Sequence, residues 1–304
     1  MVGKIIGVAK DTMFHIATVH YKDDRWIDIQ LDYLKKNLKT PYRVYAILNG
    51  VMGHKSKFYF AQDYQLDEAQ KEKKKNARFP ASVDHALKLD YLAKVIAEQA
   101  NDEDIILFLD GDALPVRDNT YEFVAEKIKD HQLIAMQRSE IDGMIQPHPA
   151  FCVTKVSAWK ELQGSWGLDY QWEHNGEKMS DTGANLLEAL EKSKTNWLPL
   201  ERSNLKNEHE LFYGIYGNIV YHHGAGFRGG LRQFISIKDY QKFPQKYLVN
   251  MVMVRPYREN PPHRWTVKIF RRLLQIFCYL RVKKEQNIFR DLKTNSKFYE
   301  RFLK

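Results

Sequence analysis

The sequence predicts an α/β fold: a mixed, mostly parallel sheet flanked by helices, followed by a basic helical tail. Three observations carry that expectation. Segments of strand and helix character alternate through the first 110 residues, the pattern of parallel strands joined by crossover helices. One strand, ILFLDGDALPV over 105–115, is apolar until it ends in Asp110 and Asp112. The 304 residues, 44% hydrophobic and 28% charged, allow one large domain or a domain with an appendage.

The elements follow in order. HIATVHY (15–21) reads as a buried strand, and RWIDIQLDYLKKNL (25–38) spaces Trp26, Ile29 and Leu38 as a helix does. YRVYAILNG (42–50) is a second strand, closed by the turn pair Asn49-Gly50. Residues 51–80 give no assignment, and KEKKKN (71–76) reads as a solvated surface. ASVDHALKLDYLAKVIAEQA (81–100) predicts a helix capped by Ser82 or Asp84, with Ala86, Leu89, Leu92 and Ile96 along one face. The 105–115 strand follows. LIAMQR (133–138) and AFCVTKV (150–156) are further short strands, and Trp159 to Ser180 is a loop-rich stretch facing the site. DTGANLLEALEK (181–192) is a short helix, and 210–230 an aromatic strand ending in a loop rich in histidine and glycine. A junction near Arg255-Pro256 divides a domain over 1–254 from an extension over 255–304.

Charge separates the same two parts. Residues 255–304 hold 14 Lys and Arg against 4 Asp and Glu, while 1–254 hold 33 basic and 34 acidic residues. HRWTVKIFRRLLQIFCYLRVKK (263–284) sets Trp265, Ile269, Leu273, Ile276 and Leu280 on one stripe and Lys268, Arg271 and Arg272 on another. Such a helix suits an anionic membrane surface, or else docks on the main domain. No nucleic acid is expected as a partner, since there is no zinc spacing, recognition helix or ribonucleoprotein signature. The two cysteines, Cys152 and Cys278, fit no metal spacing and point to reduced thiols in the cytoplasm, with peripheral attachment at the inner face of the membrane. No signal peptide and no membrane-spanning run is expected.

Ligands of parallel sheets bind outside the carboxyl ends of the strands, where Asp110 and Asp112 stand. Two carboxylates one residue apart suit a hard divalent cation, which completes its shell with water and phosphate. Gly111 allows the backbone to approach closely. A D-x-D triplet alone is also an ordinary turn, so its place at the tip of an apolar strand is what makes it specific.

The stretch ASVDHALKLDYLAKVIAEQANDEDIILFLDGDALPV resembles the core of a nucleotide-sugar glycosyltransferase of the GT-A type, and the order of elements extends the resemblance over about residues 15–230. That resemblance implies a Rossmann-like GT-A sheet, Mn²⁺ or Mg²⁺ as cofactor, and a nucleotide-diphosphate sugar as donor, with a UDP-sugar favoured. It implies a glycan or lipid-linked hydroxyl as acceptor, in bacterial surface polysaccharide or lipopolysaccharide synthesis. Asp110 and Asp112 match the metal-binding motif. Asp181 matches the catalytic base of inverting members, although it would equally cap its own helix. His222 or His223 matches a late metal-binding histidine, with His223 preferred because it abuts the glycines. His223, Gly226 and Arg228 also resemble a loop of retaining members, with Arg in place of Lys, so inversion is favoured without excluding retention.

Donor contacts are expected from His20, Tyr21 and Asn49 at strand ends, from His85 and Asp90 on the helix before the motif, and from Gly111, Gly226 and Arg228. Trp166, Trp172 and His174 precede Asp181 and would either pack on an acceptor sugar or fill the core. The alternatives are a protein that binds nucleic acid or membrane through its tail without catalysis, or a nucleotidyltransferase. The latter would want a glycine-rich loop after the first strand, which VHYKDDRW (19–26) does not offer.

Overall fold

The computed structural model describes residues 12–51, 53–77, 79–206, 213–224, 287–295 and 297–303. The chain divides into two units, residues 1–203 with 215–222, and residues 204–214 with 223–304. The division expected after residue 254 and the basic segment 263–284 lie outside the described residues, as do Gly226 and Arg228.

The first unit is built on a seven-stranded sheet in the order β10-β6-β7-β4-β1-β2-β3. Its strands are β1 (Phe14–Tyr21), β2 (Tyr42–Asn49), β3 (Phe60–Gln62), β4 (Ile105–Leu109), β6 (Leu133–Met136), β7 (His148–Lys155) and β10 (Trp197–Leu200). Only β7 runs against its neighbours; β1, β2, β3 and β4 pair in parallel, as do β6 and β10. The sheet is therefore mixed and mostly parallel, the class that the strand–helix alternation predicts.

Period-two alternation sends successive side chains to opposite faces. Phe14, Ile16, Ile105, Leu107 and Leu109 pack in one cluster with Leu34 and Leu38, the latter pair from α1 (Arg25–Asn37) and the residue after it. Ala17, Val19, Ile106 and Phe108 pack in another with Ala86, Leu89, Leu92 and Ile96 of α3 (Pro80–Ala97). Both faces are covered, which is why β4 is apolar at every position. Burying each such side chain contributes roughly 1.5–3 kcal/mol. Five together outweigh the roughly 1–3 kcal/mol that one poorly hydrated polar group at their tip would cost.

Several elements depart from the sequence expectation. The 105–115 segment is two strands: after β4 the chain turns at Asp110–Asp112 and continues as β5 (Ala113–Pro115) in a separate sheet of order β11-β12-β5. The 210–230 segment likewise breaks into β11 (Gly214–Tyr216) and β12 (Val220–His222). Gly217 and Asn218 between them both have positive φ, 55° and 56°, and Ile219 N–H donates to Tyr216 C=O at 3.0 Å. That turn suits the twist of a hairpin.

The unassigned stretch 51–80 holds β3 and α2 (Glu68–Asn76), the latter exposed as expected of KEKKKN. Helix α3 starts at Pro80 after Phe79, two residues before Ser82, because proline at a first helical position needs no partner for a missing N–H. The remaining elements are α4 (Thr120–Lys127), α5 (Val156–Glu161), the hairpin β8 (Trp172–His174) with β9 (Glu177–Met179), and α6 (Ala184–Ser193). Cys152 is a free thiol buried on β7.

In the second unit, residues 287–294 are helical and Phe298–Phe302 form a 3₁₀ turn. Leu205 N–H and Lys206 N–H both donate to Phe302 C=O, at 2.9 and 3.1 Å. No helix among the described residues is long and apolar enough to cross a membrane.

Candidate functional site

The site begins with the tip of β4. Alternation that places Ile106 and Phe108 on the α3 side carries Asp110 there too, and His85 of α3 meets it: His85 Nε2–H donates to Asp110 Oδ1 at 2.9 Å. The chain then turns sharply, with Ala113 N–H donating to Asp110 C=O at 2.8 Å. Gly111 has no room for a side chain, because a Cβ there would lie 2.8 Å from His20 Nδ1 and 2.9 Å from Val19 C=O. Strand β5 pairs antiparallel with β12, and the partner of Ala113 is His222.

That register brings three side chains together. His222 Nε2 lies 3.5 Å from Asp112 Oδ1 and 3.8 Å from Asp110 Oδ2, and one ligand atom from each residue falls within 4.8 Å of the others. Asp112 and His222 are buried. The third member is thus His222, where the sequence reading preferred His223. Adjacent residues on a strand face opposite ways. His223 stacks its ring edge-on against Tyr213, centroids 5.0 Å apart, and its C=O accepts from Tyr213 N–H at 3.1 Å.

The charge state of the group follows from its neighbours. Burial raises the Asp110 carboxyl, but the charge and hydrogen bond of His85, aided by His148 and His222, outweigh it and hold the group well below the usual carboxylate range. Burial lowers His85, and Asp110 more than restores it. His148 opens β7, whose reversed direction carries its start past the end of β4, where Leu109 pairs with Phe151, and its ring centroid is 5.7 Å from that of His222. Ala150 N–H donates to His148 Nδ1 at 3.1 Å, and burial keeps this histidine far below the ordinary imidazole value.

Among the donor candidates, Tyr21 ends β1 on the α3 side. The residue is 48% exposed, with Lys22 Nζ 5.0 Å and Lys88 Nζ 5.7 Å from its ring centroid. Lys88 is itself buried and paired to Asp84, which also holds Lys74. His20 is not beside Tyr21 in one pocket: it faces the other way, is fully buried, and packs on Phe58 with centroids 6.1 Å apart. Burial drives it down to about 4, so it is neutral. Asn49 holds the backbone of Tyr64, donating through Nδ2 to its C=O at 3.2 Å. Asp90 is likewise engaged, accepting from Ser165 Oγ at 2.9 Å and from Trp166 N–H at 2.7 Å. Its carboxylate anchors the loop before β8.

The acceptor candidates divide. Trp166 is fully buried, 5.0 Å from Phe108 and 5.9 Å from Trp159 by ring centroid, and so fills the core. Trp172 is mostly buried and donates through Nε1 to Gly143 C=O at 2.7 Å. His174 stands on β8 at the exposed hairpin and pairs with Asp142 at 2.9 Å. Asp181 does not cap α6, whose cap is Gly183, in a left-handed conformation at φ 95°. Its Oδ1 accepts from Thr182 N–H at 2.8 Å, and its other oxygen has no partner among the described residues. Gly183 rests on Pro147, where a Cβ would meet the carbonyl at 2.2 Å; this seats the Asp181 turn one residue from His148.

Sequence reasoning missed Gln30, Asn37 and His148. Gln30 and Asn37 are amides on the buried face of α1, spaced among Trp26, Ile27, Tyr33 and Leu34. A polar residue at an apolar position of a helical stripe was the available signal.

No family model and no curated protein matches the sequence. Solved structures are similar at a remote level. A structure of S. aureus TarS 1–349 is 12% identical with a TM-score of 0.38, over 62% of this chain and 58% of that one. The catalytic domain of Drosophila β1,4-galactosyltransferase 7 in complex with xylobiose is 11% identical with a TM-score of 0.39, over 70% of each chain. The mannosyltransferase PcManGT from Pyrobaculum calidifontis, in complex with GDP-Man and Mn²⁺, is 10% identical with a TM-score of 0.39, over 64% of this chain and 58% of that one. The chain thus spans less than two thirds of the TarS and PcManGT structures.

Proposed function

We propose that this chain is a metal-dependent glycosyltransferase, which moves a sugar from a nucleotide-diphosphate sugar to a hydroxyl of a glycan or lipid-linked acceptor. The observation that carries the reading is the convergence of Asp110, Asp112 and His222, within 4.8 Å, at the carboxyl edge of a mostly parallel sheet. Two ligands each about 2.1 Å from one ion lie at most about 4.2 Å apart. The separations of 3.5 and 3.8 Å from His222 fit that limit. Two carboxylates and one imidazole suit Mn²⁺ or Mg²⁺, the imidazole leaning toward Mn²⁺. A divalent ion held there supplies charge neutralisation to a departing diphosphate.

The chain's own residues account for the rest. His85 keeps Asp110 ionised and oriented. The exposed ring of Tyr21 offers a face to a nucleotide base, with lysines beside it. Asp181, with one oxygen uncommitted among the described residues, is suited to take the proton of the acceptor hydroxyl, which favours inversion. A UDP-sugar donor and an acceptor in bacterial surface glycan synthesis complete the proposal, with residues 263–284 attaching the protein to the inner face of the membrane.

The test is thermal shift of the full chain with nucleotide-sugars, with and without Mn²⁺. Ligands that bind only the native state raise the melting temperature by mass action. A shift that requires both nucleotide-sugar and metal is expected. No shift with any nucleotide-sugar in the presence of Mn²⁺ would remove the proposal.

A further inference from the structure

One side chain outside the Asp110, Asp112 and His222 group bonds the backbone of the turn that carries the two aspartates. Gln30 lies on the buried face of α1 and is fully buried. Its Nε2 donates to Asp110 C=O at 2.7 Å and to Ala113 C=O at 3.1 Å. Its Oε1 accepts from Thr18 Oγ at 3.2 Å. The reverse amide orientation would set an oxygen against two carbonyls, so the hydrogen bonding identifies which end is which.

The two carbonyls are the first and last of the four-residue turn that carries the metal motif. Asp110 and Asp112 lie within it. Ala113 is also the cross-strand partner of His222. Holding Ala113 therefore sets Asp112, one residue before it, and His222, directly opposite. Gly111 lies close against Val19 and His20 of β1. The turn is thus held by its closeness to β1 and by the Gln30 amide of α1.

A buried amide is costly unless its hydrogen-bonding groups are met, and an apolar residue of similar size would fill the space. The amide is needed because two carbonyls turn inward at this point. Asn37 makes a similar bond about two turns further along the same face of α1, donating through Nδ2 to Pro115 C=O at 2.7 Å. Pro115 pairs with Val220 and neighbours no metal-binding residue, so Asn37 serves as the internal control.

We infer that Gln30 is a positioning residue for the metal centre, setting the convergence of Asp110, Asp112 and His222 through the backbone of their turn. The inference rests on the metal reading proposed above. Residues that orient metal ligands from outside typically change affinity by about 10–100-fold when removed.

The test titrates Mn²⁺ alone into the full chain and follows the free ion by electron paramagnetic resonance. Gln30→Met is expected to weaken Mn²⁺ binding by about tenfold or more. Asn37→Leu should lower the melting temperature yet leave Mn²⁺ affinity unchanged. Thr18→Val, which releases only the far end of the amide, should weaken Mn²⁺ in the same direction and by less. Unchanged affinity in Gln30→Met overturns the inference, as does an equal loss in Asn37→Leu, which would mean general loosening. Should Gln30→Met fail to fold, an unchanged affinity in Thr18→Val overturns it instead. Absence of Mn²⁺ binding by the unaltered protein would remove the metal reading and this inference together, so the two failures are distinct.

Discussion

The rim of the sheet is made in two ways. At the tip of β4 the two aspartates are held from three elements: His85 of α3 bonds the Asp110 carboxylate, Gln30 of α1 bonds the Asp110 backbone carbonyl, and His222 of β12 lies beside both carboxylates. Across the rim, the stretch from Trp172 to Gly183 is a short hairpin and a turn, and among the described residues the Asp181 carboxylate is bonded only to its own neighbour Thr182. The first side is built before any ligand arrives, and the second is left open. Fixed geometry suits an ion and a diphosphate, whose shapes do not vary. An uncommitted carboxylate suits an acceptor whose hydroxyl must come within hydrogen-bond reach.

The sharpest way to break this comparison is one substitution on each side. Asp112→Asn should reduce metal-dependent transfer by about 10³-fold, as expected for loss of a major electrostatic stabiliser, and abolish metal-assisted nucleotide binding. Asp181→Asn should reduce transfer by about 10²-fold while nucleotide binding persists. Transfer assays paired with calorimetry read both; equal loss of nucleotide binding in the two variants would erase the division.

A smaller effect sharpens it within two adjacent residues. His222→Ala should weaken Mn²⁺ by about tenfold. His223→Ala should leave Mn²⁺ affinity as it was. The opposite order, in a metal titration, would return the ligand role to His223.

The smallest effect on activity concerns Asp90. Burial pushes its carboxyl up to about 6, against the opposing hydrogen bonds from Trp166 N–H and Ser165, from an ordinary 3.8. Between those values the folded chain binds more protons than the unfolded one, so stability is highest below the window and declines as pH rises through it. Asp90→Asn should flatten that decline in melts from about pH 4 to pH 7. It should also leave donor affinity intact. A weaker donor affinity would restore Asp90 to the pocket.

Much of this was legible in the residues alone. β1, α1, β2, β4, β6 and β7 fall within a few residues of expectation because burial leaves a strong apolar period. α2 escaped because it buries nothing and has no period to read. Its one signal was the capping pair Asp67 and Gln70, which bond reciprocally in the structure. The breaks at 110–112 and 217–218 lay inside apolar runs, and Gly217-Asn218 was the overlooked turn pair. Asp110 and Asp112 were legible because a strand tip is a position along the chain. His222 was not, since its choice over His223 depends on pairing with β5 across more than a hundred intervening residues. Trp166 and Asp90 illustrate the converse: of the two readings open to Trp166, an acceptor platform or the core, burial fits the core, and Asp90, expected at the donor, bonds Ser165 and Trp166 N–H instead.

The reversed strand β7 has a consequence for how such a molecule can be altered. β6 arrives at the working edge and β7 departs from it, with Met136 facing His148. Residues 137–147 therefore form a bridge with both abutments on the same shore. Lengthening or shortening that bridge would reshape the entrance while every ladder beneath it stayed in register, which makes it the natural place to graft a new choice of guest.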